Sequence, residues 1–305
     1  MRGLAVKNRC KIPDLSSAVE YFKKRDLIIN RKFLDLFAYL GLNHFDSIWD
    51  YQGGEIIKRI KTRSVIRIEF QNHDEKKCFY LKRHNMEYVG LQRLLSPFFP
   101  KWILSQGRKE FENICDFRKC NLPTVVPLAA GEKFVHLFWV QSFVITENFA
   151  PFISLEQMFR DHPEFLIGPE GNSKKRTLIK EIALLARRMH QNGFNHRDFN
   201  ATHILIYYEK GSEIPKLALF DLQRVDRKRF LRFRWIIKSI AELNYTMPDK
   251  IFSERDRLYL FLSYRGKTEL HAWDHLQWLW IKRKTTRIKR HTEKTIIRKQ
   301  KQSAI

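Results

Sequence analysis

The chain of 305 residues and 36.8 kDa is long enough for one large domain or two small ones around a real core. Its 44% apolar and 13% aromatic content excludes a globally disordered chain. The 57 Lys and Arg against 33 Asp and Glu, a formal +24, exclude an acidic solvating protein and point to an anionic partner: nucleic acid, a membrane surface, or a phosphorylated sugar or nucleotide.

The opening segment, MRGLAVKNRCKIPDL, has no continuous apolar stretch, so no secretory signal is expected. Residues 17–45 read as helical, with apolar residues at three/four spacing up to Gly41. From 55 to 83, EIIKRIKTRSVIRIEF and KCFYLKRH are rich in Ile, Val, Phe and Tyr and are joined by the polar QNHDEKK, which predicts an antiparallel hairpin. Residues 107–119 read as a helix, and NLPTVVPLAAGEK brings Pro, Gly and short strands. Two strand-like runs, FVHLFWV and SFVITE, fill 134–147. That stretch is the most apolar of the chain, yet too short to span a bilayer.

Ser154 opens a short helix, SLEQMFRDH, and GPEGNSKK reads as a loop. Residues 176–192 form an amphipathic helix stopped by Gly193, followed by a loop, a strand, a Gly turn and a second strand. Residues 230–281 read as helical, and 282–305 as a fraying or disordered basic tail. The predicted order is a mixed sheet with one inserted helix, then a helical half with a small β loop at its heart. Cys10, Cys78, Cys115 and Cys120 form no CxxC and no paired zinc spacing, so reduced thiols and a cytosolic setting are expected.

The chemistry-bearing pattern is His196-Arg197-Asp198, followed after a strand and a turn by Leu219-Phe220-Asp221. Phosphoryl transfer needs two such carboxylates. One orients an attacking hydroxyl and accepts its proton; the other holds a magnesium ion that neutralises phosphate charge. Lys82, in the strand FYLKR, can reach phosphates, and Glu110, in the helix RKEF, can pair with it. The joint order of these pieces carries more weight than any one alone. By contrast, His190, His196 and His203 lie six and seven residues apart, which is no usual zinc pattern; His190 is expected to be structural.

Over roughly 50–266 the sequence resembles the protein-kinase-like superfamily and, within it, the Kdo/WaaP lipopolysaccharide kinase family. The residues that carry this are YLKRH, RKEF, LPTVVPLAAGE, SFVITE, MHQNGFNHRDFNATHILI, LFDLQRV, RWIIKSIAEL and SERDRLYLFLSYRG. The resemblance implies an α+β, protein-kinase-like two-lobed fold: a helical extension at 1–48, a sheet lobe at 49–147, a helical lobe at 148–281 and a basic tail at 282–305. It implies ATP and Mg2+ as cofactors and a lipopolysaccharide inner-core sugar, heptose or Kdo, as acceptor. By position it makes Asp198 the catalytic base, Asp221 the magnesium ligand, Lys82 the residue on the α/β-phosphates, Glu110 its ion-pair partner and Glu147 the hinge residue beside the adenine. His196 and Arg197 become structural members of the catalytic loop.

Departures matter too. His203 stands where protein kinases place the second metal-binding Asn, as in the heptose kinases. His203 stands with Asp221 as a candidate metal residue; because imidazole is a poor ligand for magnesium, its first expected role is to donate to a phosphate oxygen or order the loop, with direct ligation second. Asn200 stands where Ser/Thr kinases commonly carry Lys and is a candidate contact to the acceptor or γ-phosphate. Leu222-Gln223 replace the Phe-Gly of switchable kinases, and no GxGxxG is present; Gly53-Gly54 and Thr62-Arg63-Ser64 leave the phosphate loop open. Ser239 replaces the Asp that commonly anchors the catalytic loop.

The expected partners are a lipid-anchored anionic sugar and an anionic membrane surface, for a cytoplasmic protein peripheral to the inner face of the membrane. The alternatives on the same fold are a Ser/Thr protein kinase, a small-molecule phosphotransferase or a pseudokinase. No nucleic-acid partner is expected, since no motif for one stands out. The charge concentrates in 282–305, with ten Lys/Arg and one Glu, and in 224–238, with seven Lys/Arg and one Asp. Trp273, Trp278 and Trp280 read as packing residues or as bilayer-interface anchors beside the tail.

Overall fold

The computed structural model describes residues 19–24, 26–72, 75–90, 93–94, 105–136, 138–227 and 232–303. The chain divides into two compact units, Met1–Ala150 with Asp221–Gln223, and Pro151–Phe220 with Arg224–Ile305.

The first unit is built on one seven-stranded sheet. Its strands are β1 (Tyr21–Lys24), β2 (Leu27–Asn30), β3 (Glu55–Ile60), β4 (Arg63–Asn72), β5 (Glu75–Glu87), β6 (Pro127–His136) and β7 (Trp139–Glu147), in the order β1-β2-β6-β7-β5-β4-β3. Every pairing is antiparallel. Side chains alternate between faces. Ile66, Leu81, Phe143 and Ile145 therefore share one face, packed on Phe37, Phe45 and Ile48 from α1 (Leu34–Tyr39) and α2 (Phe45–Trp49). Ile28, Ala130 and Val144 share the other face and pack on Phe111 and Cys115 of α3 (Gln106–Lys119). At Gly107 a Cβ would lie 2.5 Å from the carbonyl oxygen of Phe143; only glycine lets α3 lie this close to β7. The buried Arg83 donates to the carbonyls of Ile48 (3.1 Å) and Tyr51, satisfying orphan acceptors at and just past the end of α2.

Several expected elements are corrected. The helix over 17–45 gives way to the β1–β2 hairpin, with α1 starting only at Leu34. All four residues of β2 are buried and Leu27–Ile29 are in register with Gly131–Ala129, so sheet pairing overrides the local helical spacing. Asn30 turns the chain: its side chain donates to the Pro127 carbonyl at 2.9 Å and accepts from the Lys32 N–H at 3.1 Å. The helical extension over 1–48 thus supplies two sheet strands instead; residues 1–18 of it lie outside the described residues. The segment 55–83 holds three strands rather than one hairpin, because the chain turns at Lys61-Thr62. β6 begins at Pro127, and its turn into β7 lies between His136 and Trp139, earlier than the two runs imply.

The second unit contains β8 (Ile153–Ser154), β9 (Phe194–His196), β10 (Ile204–Tyr207), β11 (Lys216–Leu219) and β12 (Val225–Arg227), arranged as the small sheets β11-β10-β8 and β12-β9. Its helices are α4 (Leu155–Asp161), α5 (Gly168–Gln191), α6 (Arg232–Thr246), α7 (Glu254–Arg265) and α8 (Ala272–Ser303). Ser154 caps α4, its Oγ accepting from the Gln157 N–H at 3.1 Å. α5 buries Leu178, Ile182, Leu185, Ala186 and Met189 along one stripe. GPEGNSKK forms the first turns of α5 instead of a loop; Pro169 suits that first turn because the missing N–H would have no intrahelical acceptor. The basic tail is also corrected: it is the distal part of α8, a continuous helix of 32 residues. Neither Gly nor Pro occurs from 267 to 303, and Lys, Arg and Gln are good helix formers.

Asp274 ties the start of α8 to α7. Its buried carboxylate accepts from Arg265 Nε (2.9 Å), Lys267 Nζ (2.6 Å) and the His271 N–H (3.2 Å). The hydrogen bond from Lys267, with the other two partners, outweighs burial and holds the carboxyl below the usual aspartate range. A depressed pKa gives stability that is present above the unfolded value near 3.9 and is lost as pH falls through the folded one. Asp274→Ala is expected to cost about 1–2 kcal/mol at neutral pH. In urea unfolding the difference from wild type should close as pH falls below about 4.

Cys78, Cys115 and Cys120 carry free thiols, and burial pushes Cys115 up to about 12. Cys10 lies outside the described residues.

Candidate active site

In the first unit, the register of β4, β5 and β7 sets the chemistry. Lys82 is paired with Val65 on one side and Val144 on the other, so its side chain projects to the face covered by α3. There its Nζ lies 2.6 Å from Glu110 Oε1 and 3.2 Å from Asp221 Oδ1. Glu110 is 1% exposed. Burial alone would pull the Lys82 ammonium down, but Glu110 and Asp221 outweigh it and hold its pKa above the ordinary lysine value. Burial pushes the Glu110 carboxyl up, against the opposing charge of Lys82. Glu112, the competing acid on the same helix, pairs instead with Arg108 at 2.7 Å.

Asp221 sits at φ +56°, a left-handed conformation that Asp tolerates better than most residues. The next residue is fixed by Asn113 Nδ2, which donates to the Leu222 carbonyl at 2.8 Å. Two further residues reach this cluster that the sequence did not single out as site residues. Arg63 Nη2 lies 3.7 Å from Asp221 Oδ1. Arg63 is in register with His84, and the two-residue strand period places both on the Lys82 face. His84 is 2% exposed; burial, with Arg63 and Lys82 nearby, pushes it down to about 3, so the imidazole stays neutral. The signal for Arg63 lies in the cross-strand register, which the Lys61-Thr62 turn sets.

Glu147 ends β7. Its N–H donates to the Val126 carbonyl at 2.9 Å, and the Asn148 N–H donates to the Cys78 carbonyl at 2.9 Å. Burial raises the Glu147 carboxyl. Beside it Tyr80 stacks on Phe149 with centroids 5.7 Å apart.

In the second unit, the loop after β9 is held by its two histidines. His196, fully buried, donates from Nε2 to the Phe220 carbonyl at 3.3 Å and accepts the Asp198 N–H at Nδ1, 3.2 Å away. That fixes the neutral Nε2–H tautomer, since a carbonyl only accepts. His203 Nδ1 lies 2.8 Å from the Asp198 carbonyl and by the same argument carries a proton there. The two rings stack at 5.7 Å. Asn200 accepts the Thr202 N–H at 3.0 Å, capping the turn. The Asp198 carboxylate is thereby presented from a backbone clamped on both sides, and Arg224 Nη1 lies 2.8 Å from each of its oxygens. Arg197 pairs with Asp226 at 2.5 Å.

Ser239, in place of the usual anchoring Asp, lies in a buried polar chain with Asn195 and His190, each 3.3 Å away. His190 also reaches Tyr264 at 3.1 Å, consistent with the structural role expected for it. The neighbouring Lys238 donates to the Arg197 carbonyl at 2.9 Å, so this chain holds the loop backbone with a lysine.

The donor set bears on the metal. Among the described residues no group of three or more His, Cys, Asp or Glu side chains could cage an ion. Mg2+ is commonly held by one or two carboxylates together with substrate phosphates. Asp221, a hard oxygen donor 3.2 Å from the Lys82 ammonium, fits that mode. His203 orders the loop through its Nδ1–H to the Asp198 carbonyl, and its other ring nitrogen is a softer donor than the oxygens Mg2+ prefers.

The profile of the lipopolysaccharide kinase (Kdo/WaaP) family matches residues 46–264. The chain is 30% identical over 220 residues to lipopolysaccharide core heptose(I) kinase WaaP from Escherichia coli, covering 71% of this chain and 79% of that protein. It is 26% identical over 228 residues to the WaaP heptose(I) kinase of Pseudomonas aeruginosa, covering 73% and 81%. Among solved structures, WaaP in complex with acyl carrier protein aligns with TM-score 0.66 at 22% identity, over 86% of this chain and 98% of that one. That likeness shows an α+β, protein-kinase-like two-lobed fold. The chain therefore belongs to the lipopolysaccharide kinase (Kdo/WaaP) family and is a kinase-type phosphotransferase.

Proposed function

We propose that this protein uses ATP to phosphorylate a heptose of the lipopolysaccharide inner core at the cytoplasmic face of the membrane. The observation that carries the reading is the buried Lys82–Glu110 pair with Asp221 at 3.2 Å, a cation and a carboxylate arranged to receive a phosphate chain. Support for heptose over Kdo comes from the curated relatives, each a heptose(I) kinase.

In this mechanism a heptose hydroxyl attacks the γ-phosphorus of ATP, the bond to the β-phosphate oxygen breaks, and ADP leaves. Asp198 orients the hydroxyl and accepts its proton. Lys82, fixed by Glu110, binds phosphate oxygens, and Arg63 adds a second cation on the same sheet face. Mg2+, when bound with the nucleotide, supplies charge neutralisation at the phosphates, and Asp221 would hold it. Asn200 and His203 keep the loop in shape through their turn and carbonyl hydrogen bonds. Arg224, more than half exposed, offers the acceptor's phosphate or carboxylate groups a partner.

The test is incubation with labelled ATP and truncated lipopolysaccharide cores ending at Kdo or at heptose. Label is expected on the heptose-terminated core alone. Label on the Kdo-terminated core overturns the choice of sugar, and label on neither overturns the acceptor class.

A further inference from the structure

Helix α8 is long and two-faced. Asp274, Gln277 and Ile281 are at most 3% exposed, and Trp278 stacks on Phe261 of α7 at 5.8 Å. At about 100° per residue the opposite side carries Leu276 and Leu279, and then Arg283 and Arg290 with Arg287 beside them in the same line, while Trp273 and Trp280 stand at its edge toward α6. Trp273 is 53% exposed and Leu276 37%, with Leu279 alongside at 41%. These are large apolar side chains left in water, yet they are not loose. Trp273 and Trp280 meet edge to face at 5.8 Å, and both rest on Phe233 of α6. Cations off this line, Lys282 and Lys289, pair with Glu254 (2.7 Å) and Asp249 (3.6 Å). Arg283, Arg287 and Arg290 make no ion pair among the described residues.

We propose that this face of α8 is a docking surface for an anionic lipid bilayer. The basic line attracts lipid head groups, and the rigid Trp–Leu end inserts at the boundary between head groups and acyl chains. Charge alone would suit a nucleic acid equally, but a polyphosphate backbone gains nothing from Leu276 and Leu279. No helix among the described residues is long and apolar enough to cross a membrane, so the contact is with the surface. The inference deepens the membrane-face reading above by naming the element that makes the contact. It does not depend on which acceptor is phosphorylated.

The test is co-sedimentation of the full chain with vesicles free of lipopolysaccharide, made of phosphatidylcholine with or without phosphatidylglycerol. Binding to the anionic vesicles alone, weakened by salt, is expected. Each Lys or Arg near an anionic surface contributes about fivefold in affinity. Arg283→Gln, Arg287→Gln and Arg290→Gln together should therefore weaken binding roughly a hundredfold, with circular dichroism unchanged. Should that variant fail to fold, the exposed Leu276→Ser and Leu279→Ser pair reads the same surface through its apolar end and should also release the vesicles. Equal binding to both vesicle types overturns the proposal. So does unchanged binding in a folded variant, or tighter retention on duplex DNA that is indifferent to Leu276 and Leu279. Vesicle binding without transfer to any core would instead leave the docking surface standing and overturn the acceptor.

Discussion

Asp198→Asn is expected to lower kcat by roughly three orders of magnitude, within the usual range for loss of a general base, while the protein stays folded. The geometry separates the two effects. The backbone of Asp198 is held by His196 and His203, through the N–H and the carbonyl, and neither bond uses the carboxylate. What the side chain loses is its ion pair with Arg224. The two partners are 27% and 58% exposed, and such pairs contribute about 0–1 kcal/mol. Stopped assays with labelled ATP and a heptose-terminated core would read the loss, and urea unfolding would read the unchanged stability. Activity within tenfold of wild type would remove Asp198 from the mechanism. Arg224→Ala is the companion variant: it keeps the base and removes the cation, so it should raise KM for the acceptor more than it lowers kcat.

Much of this site was legible because the chain encodes it in contiguous pieces. The loop around Asp198, the strand bearing Lys82 and the helix bearing Glu110 each carry their own letters. Arg63 and Arg224 were not named as site residues because their roles depend on register and on a turn. A one-residue shift of β4 would send Arg63 to the opposite face, and nothing local fixes that register except the turn at Lys61-Thr62. The β1–β2 hairpin was hidden for a similar reason. Leu27–Asn30 is a short apolar run compatible with either period, and the strand that claims it begins nearly a hundred residues later. The distal part of α8 failed differently: a high density of Lys and Arg looks like a solvated tail, yet those side chains are also good helix formers.

Lys82→Met is expected to abolish most turnover and to destabilise the protein in a pH-dependent way. Lys82 is 12% exposed at its side chain and Glu110 1%. Removing one partner of such a pair costs about 3–5 kcal/mol, because the other charge is left buried. Glu110 can escape that cost by taking a proton, and burial already pushes its carboxyl up. Without the ammonium it rises further. A raised folded-state pKa contributes stability that is fully present below the unfolded value, about 4.3 for Glu, and is lost as pH rises through the folded one. The variant should therefore approach wild-type stability near pH 4 and fall progressively below it toward pH 8, as read by urea midpoints across that range. Adding Glu110→Leu removes the stranded carboxyl, and the double variant should recover most of the lost stability at neutral pH. It should recover none of the activity. The reason is that Lys82 contacts phosphate in the proposed mechanism, a contribution of about a hundredfold or more in kcat. A double variant as unstable as Lys82→Met alone would mean that the pair is held by packing rather than by charge. A double variant with restored turnover would mean that phosphate is bound elsewhere.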